Sequence, residues 1–481
     1  MTSNSGNRRT SRRGFFHSVC DGLQGTALAT LLGADLRAAE GSPARRAFDL
    51  KPKAPHFEPK AKAVIQCFMN GGPSHLDLFD PKPILEKRAG QAYLPHSVAA
   101  ELTDPASVGG LWPSPFKFAQ HGKSGIWVSS VMPHLAKQVD EIAVIRSMHT
   151  MHPNHEPALF MIHSGRTLPG RPGLGTWPVY GLGSENQNLP AYVVLDDPLG
   201  LPNNGTQGWQ SGFLPPIYQG TRLRSVGSPI LNLKPEVEEP SEVVRLARDL
   251  ISRLDTIHKA DRPGNLVLDA RISSYELAAR LQVEATDALD LSKEDPKLLE
   301  EYGVGQEPTD SYARRCIMAR RLVERGVRYV QIYINQSVWD HHDALTPRLQ
   351  ECCARTDKPV AALIKDLKQR GLMDSTLLLW GGEFGRMAIT QGRSVDVGRD
   401  HNPRGFSLWM AGAGVKKGIT YGETDEIGFA ATENPVSVTD WHATILHLLG
   451  LDYRKLTWDI NGLDEKLTSV YEASVVRGIL S

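Results

Sequence analysis

Cysteine is scarce in this chain, with five residues in 481 and no CxxC pair. That excludes a disulfide framework and a thiolate zinc site, so any metal centre has to use His, Asp and Glu. No run of eighteen apolar residues occurs, which argues against a spanning helix. Charge excess is also missing: Lys+Arg and Asp+Glu are both 54. A nucleic-acid or polybasic membrane partner would leave a basic surplus, so neither is expected. HExxH, CxxCH and a nucleotide-binding glycine fingerprint are absent. There is no internal repeat. Histidine is what the chain has in quantity: four of its 16 (His149, His152, His155, His163) fall within fifteen positions. An even spread would put about half a residue in such a window.

The first 39 residues read as an address rather than as fold. Ser11-Arg12-Arg13-Gly14-Phe15-Phe16 matches the twin-arginine pattern, a weakly apolar run follows over 23–36, and Ala38-Ala39 suits cleavage. The expectation is a signal peptide over 1–39, read by the twin-arginine export machinery, and a destination in the periplasm or outside the cell. That route carries folded proteins, often with their cofactor loaded. Removing the segment takes away five arginines and two aspartates, leaving a mature chain of net charge −3. Residues 40–60, with four prolines, form an expected extended leader.

Beyond the leader, apolar runs alternate with helical patterns. Strands are predicted over 63–69, 142–145, 192–195, 327–334, 375–380 and 407–411. Helices are predicted over 132–138, 156–165, 241–291 with a break at Pro263-Gly264, 313–325, 357–370 and 441–449. This pattern predicts an α/β fold with a central, mostly parallel sheet covered by helices on both faces. One domain is expected over 61–465, with a loop- and helix-rich insertion over about 170–310 and a C-terminal tail over 466–481. The Gly-, Pro- and Asn-rich stretch 166–238 suits a recognition surface.

In such sheets the polar residues just past the strand ends line the active crevice. After the first strand come Asn70, His75, Asp77 and Asp80. After 327–334 comes Trp339-Asp340-His341-His342-Asp343, and after 375–380 come Glu383 and Arg386, then Asp400-His401. Carboxylates and imidazoles converging from separate strands are donors for a divalent cation. The expected ligands are Asp77, Asp340, His342, Glu383 and His401, holding one or two ions of Zn, Ca, Mg or Mn. Asn70, His75, His149, His152, Asp400 and Arg386 are further candidates. The histidine loop lies between a strand end and a helix start, where free helix N–H groups favour an anionic ligand.

These segments, in this order, resemble the alkaline phosphatase and sulfatase superfamily. More closely they look like the twin-arginine-exported bacterial proteins of domain-of-unknown-function family 1501. Met132-Pro133-His134-Leu135-Ala136 looks like the sulfatase segment that introduces the nucleophile loop. His155-Glu156-Pro157 through Gly165-Arg166 has the spacing of the sulfatase signature. Thr376 to Glu383 is similar to the strand that delivers the superfamily's Asp-His metal pair, and Thr439-Asp440-Trp441-His442-Ala443-Thr444 to a C-terminal helix start. The resemblance implies a metal-dependent hydrolase of anionic phosphate or sulfate esters, acting on a small molecule or a polysaccharide. It places His155 at the nucleophile position, so the formylglycine route is closed; Asn70 stands for a metal-binding aspartate, and Glu383-Phe384 for the Asp-His pair. His155 is therefore expected as nucleophile, acid/base or further ligand. The rival expectation is a non-catalytic carbohydrate- or surface-binding protein that keeps the fold without its nucleophile.

Overall fold

β1 (Ala63–Phe68) is six consecutive buried residues, the signature of a strand covered on both faces. Its alternation divides those faces. Ile65 and Cys67 pack into a core with Cys316, Leu322, Leu349 and Leu363, while Gln66 and Phe68 meet Ile162 and Trp441 on the other side. The computed structural model describes residues 49–93, 102–225, 240–262, 264–265, 268–273, 275–277, 288–392 and 396–481. The expected signal peptide and the first part of the leader lie outside them. Residues Asp49–Ser481 form one compact unit.

The elements that matter follow in chain order. β2 is Ile142–His149, α1 His155–Ser164, β3 Tyr192–Leu195, β4 Thr221–Leu223, α2 Ser241–Ala260 and α3 Asp310–Glu324. β5 is Tyr329–Tyr333, α4 Leu345–Gln369, β6 Thr376–Gly381, β7 Gly385–Gln391 and β8 Gly398–Asn402. β9 is Phe406–Ala411, β10 Ile419–Tyr421, β11 Val436–Ser437 and α5 Val438–Leu448. Among the described residues, nine strands make the main sheet in the order β10-β2-β9-β6-β1-β5-β3-β4, with β11 also pairing β2. All pairings are parallel except those of β9, which runs antiparallel to β2 and β6. The fold is mixed α/β, with α3 and α4 against one face and α1 and α5 against the other. No helix among the described residues is long and apolar enough to cross a membrane.

Four differences from the sequence reading have physical causes. β2 runs on to His149 because Met148 pairs with both Phe406 and Val436. The predicted 132–138 helix is two 3-10 turns instead, the first held by Asp357, whose carboxylate accepts from His134 N (2.7 Å) and Leu135 N (2.8 Å). α4 begins twelve residues earlier than the predicted 357, and Pro359 lies inside it. Burial of Leu349, Cys352 and Cys353 against the sheet outweighs the backbone hydrogen bond that a helical proline removes. The expected C-terminal tail is docked: Leu467 and Ile479 are buried, and Ile479 O accepts from Lys416 N at 2.8 Å. α1 ends where predicted, at Gly165 with φ +73°; a Cβ there would strike Leu467 O.

The α1/α5 face buries two histidines. His163 meets Tyr333 Oη at 3.1 Å and Gln331 Nε2 at 3.3 Å, and His442 Nε2 donates to Ile162 O at 2.8 Å. Burial pushes His163 down to about 3 and His442 down to about 4, so both fold neutral. Between those values and 6.5 the unfolded chain binds more protons than the native one. Stability is therefore complete above about pH 6.5 and falls as pH drops, by roughly 1.4 kcal/mol per pH unit for each histidine. Urea denaturation at pH 7, 6 and 5 should show this slope, and His442→Gln should reduce it by about one proton; an unchanged slope would contradict the assignment.

Candidate metal centre

Three strand ends and one helix start supply the site. β1 breaks into Asn70-Gly71-Gly72, and Gly71 sits at φ +114°, where a Cβ would lie 2.5 Å from Asp340 N. Only glycine lets the loop after β5 come that close. That loop carries Asp340 and His342. β8, paired antiparallel with β7, carries His401, and His155 opens α1.

A donor atom from each of His155, Asp340, His342 and His401 lies within 4.8 Å of the others. His342 Nε2 is 2.9 Å from Asp340 Oδ1 and 2.9 Å from His401 Nε2. His401 Nε2 is 3.2 Å from Asp340 Oδ1, and His155 Nε2 is 3.1 Å from Asp340 Oδ2. The opposite nitrogen of each ring faces an oxygen acceptor. His155 Nδ1 meets Glu383 Oε1 at 2.7 Å, His401 Nδ1 meets Pro153 O at 2.6 Å, and His342 Nδ1 meets Gln391 Oε1. Each Nδ1 therefore carries a proton, and the three Nε2 atoms, the ones left to bind a metal, converge on one place. His155 Nε2 is buried without a hydrogen-bond partner despite its nearness to Asp340. Three converging Nε2 atoms beside a carboxylate fit a cation.

The supporting residues fix this arrangement. Arg386 is fully buried; its guanidinium donates to Asp340 Oδ1 (2.6 Å), Gly72 O (2.9 Å), Arg399 O (3.1 Å) and Gly71 O. One side chain thus ties the β1 turn to the aspartate. Burial alone would raise the Asp340 carboxyl, but Arg386 and the three imidazoles outweigh it and hold it well below the usual range. A second chain of bonds orients His342. Asp400 accepts from Thr103 Oγ1 at 2.7 Å, and Thr103 Oγ1 accepts from Gln391 Nε2 at 2.9 Å. That leaves the Gln391 carbonyl facing His342. Phe384 packs against the rings of His155 and His401 at 4.9 and 4.4 Å.

Several expected ligands stand elsewhere. Asp77 lies outside the group: fully buried, it pairs with Arg399 at 2.8 and 3.3 Å and accepts from Ser74. Glu383 is not in the group either; it accepts from Gly71 N at 3.0 and 3.1 Å and orients His155. Asp400 serves Thr103, and His401 N, at one remove. Asn70 spans to Ile334 O at 2.5 Å, and His75 to Gly428 O at 2.8 Å. His149 closes β2, and His152 Nδ1 accepts from Asn154 N, both outside the group. Gln391 and Thr103 escaped the sequence reading, because a Gln and a Thr in a loop-rich stretch carry no pattern.

Burial disfavours a charged His155, but Asp340 and Glu383 outweigh it and push the ring up to about 9. Metal-free protein should therefore show one imidazole that keeps its proton to about pH 9, read from histidine ring NMR signals. Glu383→Gln should bring that titration down by about one unit or more. A variant titrating at the original pH would remove Glu383 from the arrangement.

No curated protein matches this sequence. Solved structures to which it is similar include the PsFucS1 sulfatase from Pseudoalteromonas sp., at 13% identity and a TM-score of 0.35, over 86% of this chain and 72% of that one. Others are the lipoteichoic acid synthase LtaP from Listeria monocytogenes, at 11% identity and a TM-score of 0.32 over 84% and 76%, and the phosphonate monoester hydrolase SpPMH from Silicibacter pomeroyi, at 12% and 0.30 over 66% and 68%. At these values nothing about activity passes from them to this chain. The family described as "Protein of unknown function (DUF1501)" matches residues 61–480. With the match spanning most of its length, the chain belongs to the DUF1501 family.

Proposed function

We propose that this protein is an exported metal-dependent hydrolase of anionic phosphate or sulfate esters, with one divalent ion held by His155, Asp340, His342 and His401. The observation that carries the reading is the 2.9 Å approach of His342 Nε2 to His401 Nε2 while both Nδ1 atoms face oxygen acceptors. Two lone pairs at that distance repel unless the rings share a proton or a metal ion, and with both Nδ1 atoms already donating, a shared metal ion satisfies both rings. Three imidazoles and one carboxylate suit zinc or manganese better than calcium or magnesium, which prefer all-oxygen sites. When bound, such an ion supplies Lewis-acid polarisation of an ester oxygen.

The chain's own groups then have distinct parts. Arg386 holds Asp340, Glu383 holds His155, and Gln391 holds His342. His155 opens α1, so the positive end of that helix adjoins the site and favours an anionic substrate. Nδ1 of His155 is held by Glu383 and its Nε2 has no hydrogen-bond partner, which supports a ligand role for Nε2. Asp340 and His342 are the most accessible members, with side chains 23% and 32% exposed, so substrate and water are admitted from their side. Export by the twin-arginine route rests on the Ser11–Phe16 pattern and suits a protein folded around a metal before transport.

Elemental analysis of the mature protein should find close to one equivalent of metal, and His342→Ala and His401→Ala should each lose most of it. Metal-free wild type would sink the proposal. Gln391→Met should keep the fold by circular dichroism yet weaken metal affinity about 10- to 100-fold in chelator competition. Assays against phosphate, sulfate and phosphonate esters decide turnover: metal bound without hydrolysis of any of them would favour the carbohydrate- or surface-binding reading.

A further inference from the structure

α2 is a 20-residue helix that stands apart from the sheet. Val243, Leu246, Leu250, Ile251, Leu254 and Ile257 are all exposed, Leu250 at 57% and Ile257 at 61%. Nothing among the described residues covers them. Val243, Leu246, Leu250, Leu254 and Ile257, spaced by three and four, gather on one face about 21 Å long, with Ile251 at its edge. A single amphipathic helix of this length gains most of its stability from packing that face against something. Its charges indicate what. Arg245, Arg248, Arg253 and Lys259 alternate with Glu242, Asp249 and Asp255. A helix lying on a membrane carries mainly Lys and Arg on its polar side, whereas three acids are interleaved here. The helix is instead its own electrostatic complement.

We infer that α2 pairs with α2 of a second copy of this chain, antiparallel about a two-fold axis at Leu250. In that register Val243 faces the partner subunit's Ile257, Leu246 faces the partner subunit's Leu254, and Leu250 meets its own copy. Arg253 then flanks the partner subunit's Asp249 along one edge of the seam, and the two-fold repeats that pair. Such an interface uses the same patch twice and closes at two chains.

Light scattering of the purified mature chain should give a dimer. Leu250→Glu should raise the dissociation constant about a hundredfold or more, by placing two carboxylates against each other in the apolar seam. Metal content and circular dichroism should stay unchanged, since α2 supplies no strand to the sheet and no donor to the centre. Under mild oxidation Leu250→Cys should cross-link to itself. Ile257→Cys should not, but should do so when mixed with Val243→Cys. A monomeric wild type, with α2 covered by another segment of its own chain or by a lipid vesicle, overturns the proposal. So does a Leu250→Glu variant that remains dimeric, or self-linking by Ile257→Cys.

Discussion

His342 Nε2 and His401 Nε2 lie 2.9 Å apart with their other ring protons already directed at oxygen. Everything around the site makes sense as a means of holding that otherwise repulsive meeting. The Gly71 turn brings the β5 loop within reach of β1, and the Arg386 guanidinium locks Asp340 onto that turn. Gln391, Thr103 and Asp400 set the orientation of one ring, Pro153 O another, and Glu383 the third. Rigid support of this kind is what a metal site requires, because ligand rings that rotate freely lose much of their affinity.

The charge balance points the same way. Asp340 and Glu383 bring two negative charges to one buried place, and Arg386 offsets one of them. Without a metal, His155 offsets the other by keeping its proton to about pH 9. A divalent ion would take over that task and expel the proton, so metal uptake and proton release are linked. The site thus has a stable metal-free form, which explains how the fold can hold the donors in place before loading.

Much of this was legible in the sequence, and the rest failed for a definite reason. The strands ending at Phe68, Tyr333 and Gly381 are legible as apolar runs breaking into polar loops, and Asp340, His342 and His401, expected ligands on that ground, are brought together in the structure. The clustering of histidine marks the loop of His155, but its role as nucleophile, acid/base or ligand is left open by the sequence. The pairing of Asp77 with Arg399 is illegible because the two are more than three hundred positions apart and no local pattern reveals it. Glu383 stands beside the site facing His155, and a carboxylate that binds metal and one that steadies a histidine look alike in a sequence. Gln391 and Thr103 had no signal at all. The sheet's order and the antiparallel β9 likewise depend on long-range pairing.

The account rests on one ion sharing four protein ligands. Anomalous X-ray diffraction from metal-loaded crystals, recorded at the absorption edge of the bound element, tests it most directly. The prediction is a single strong peak about 2.0–2.2 Å from the Nε2 atoms of His155, His342 and His401 and from an Asp340 oxygen. A peak beside Asp77, one bonded to Glu383 in place of His155, or none at this centre in a metal-loaded crystal would contradict it.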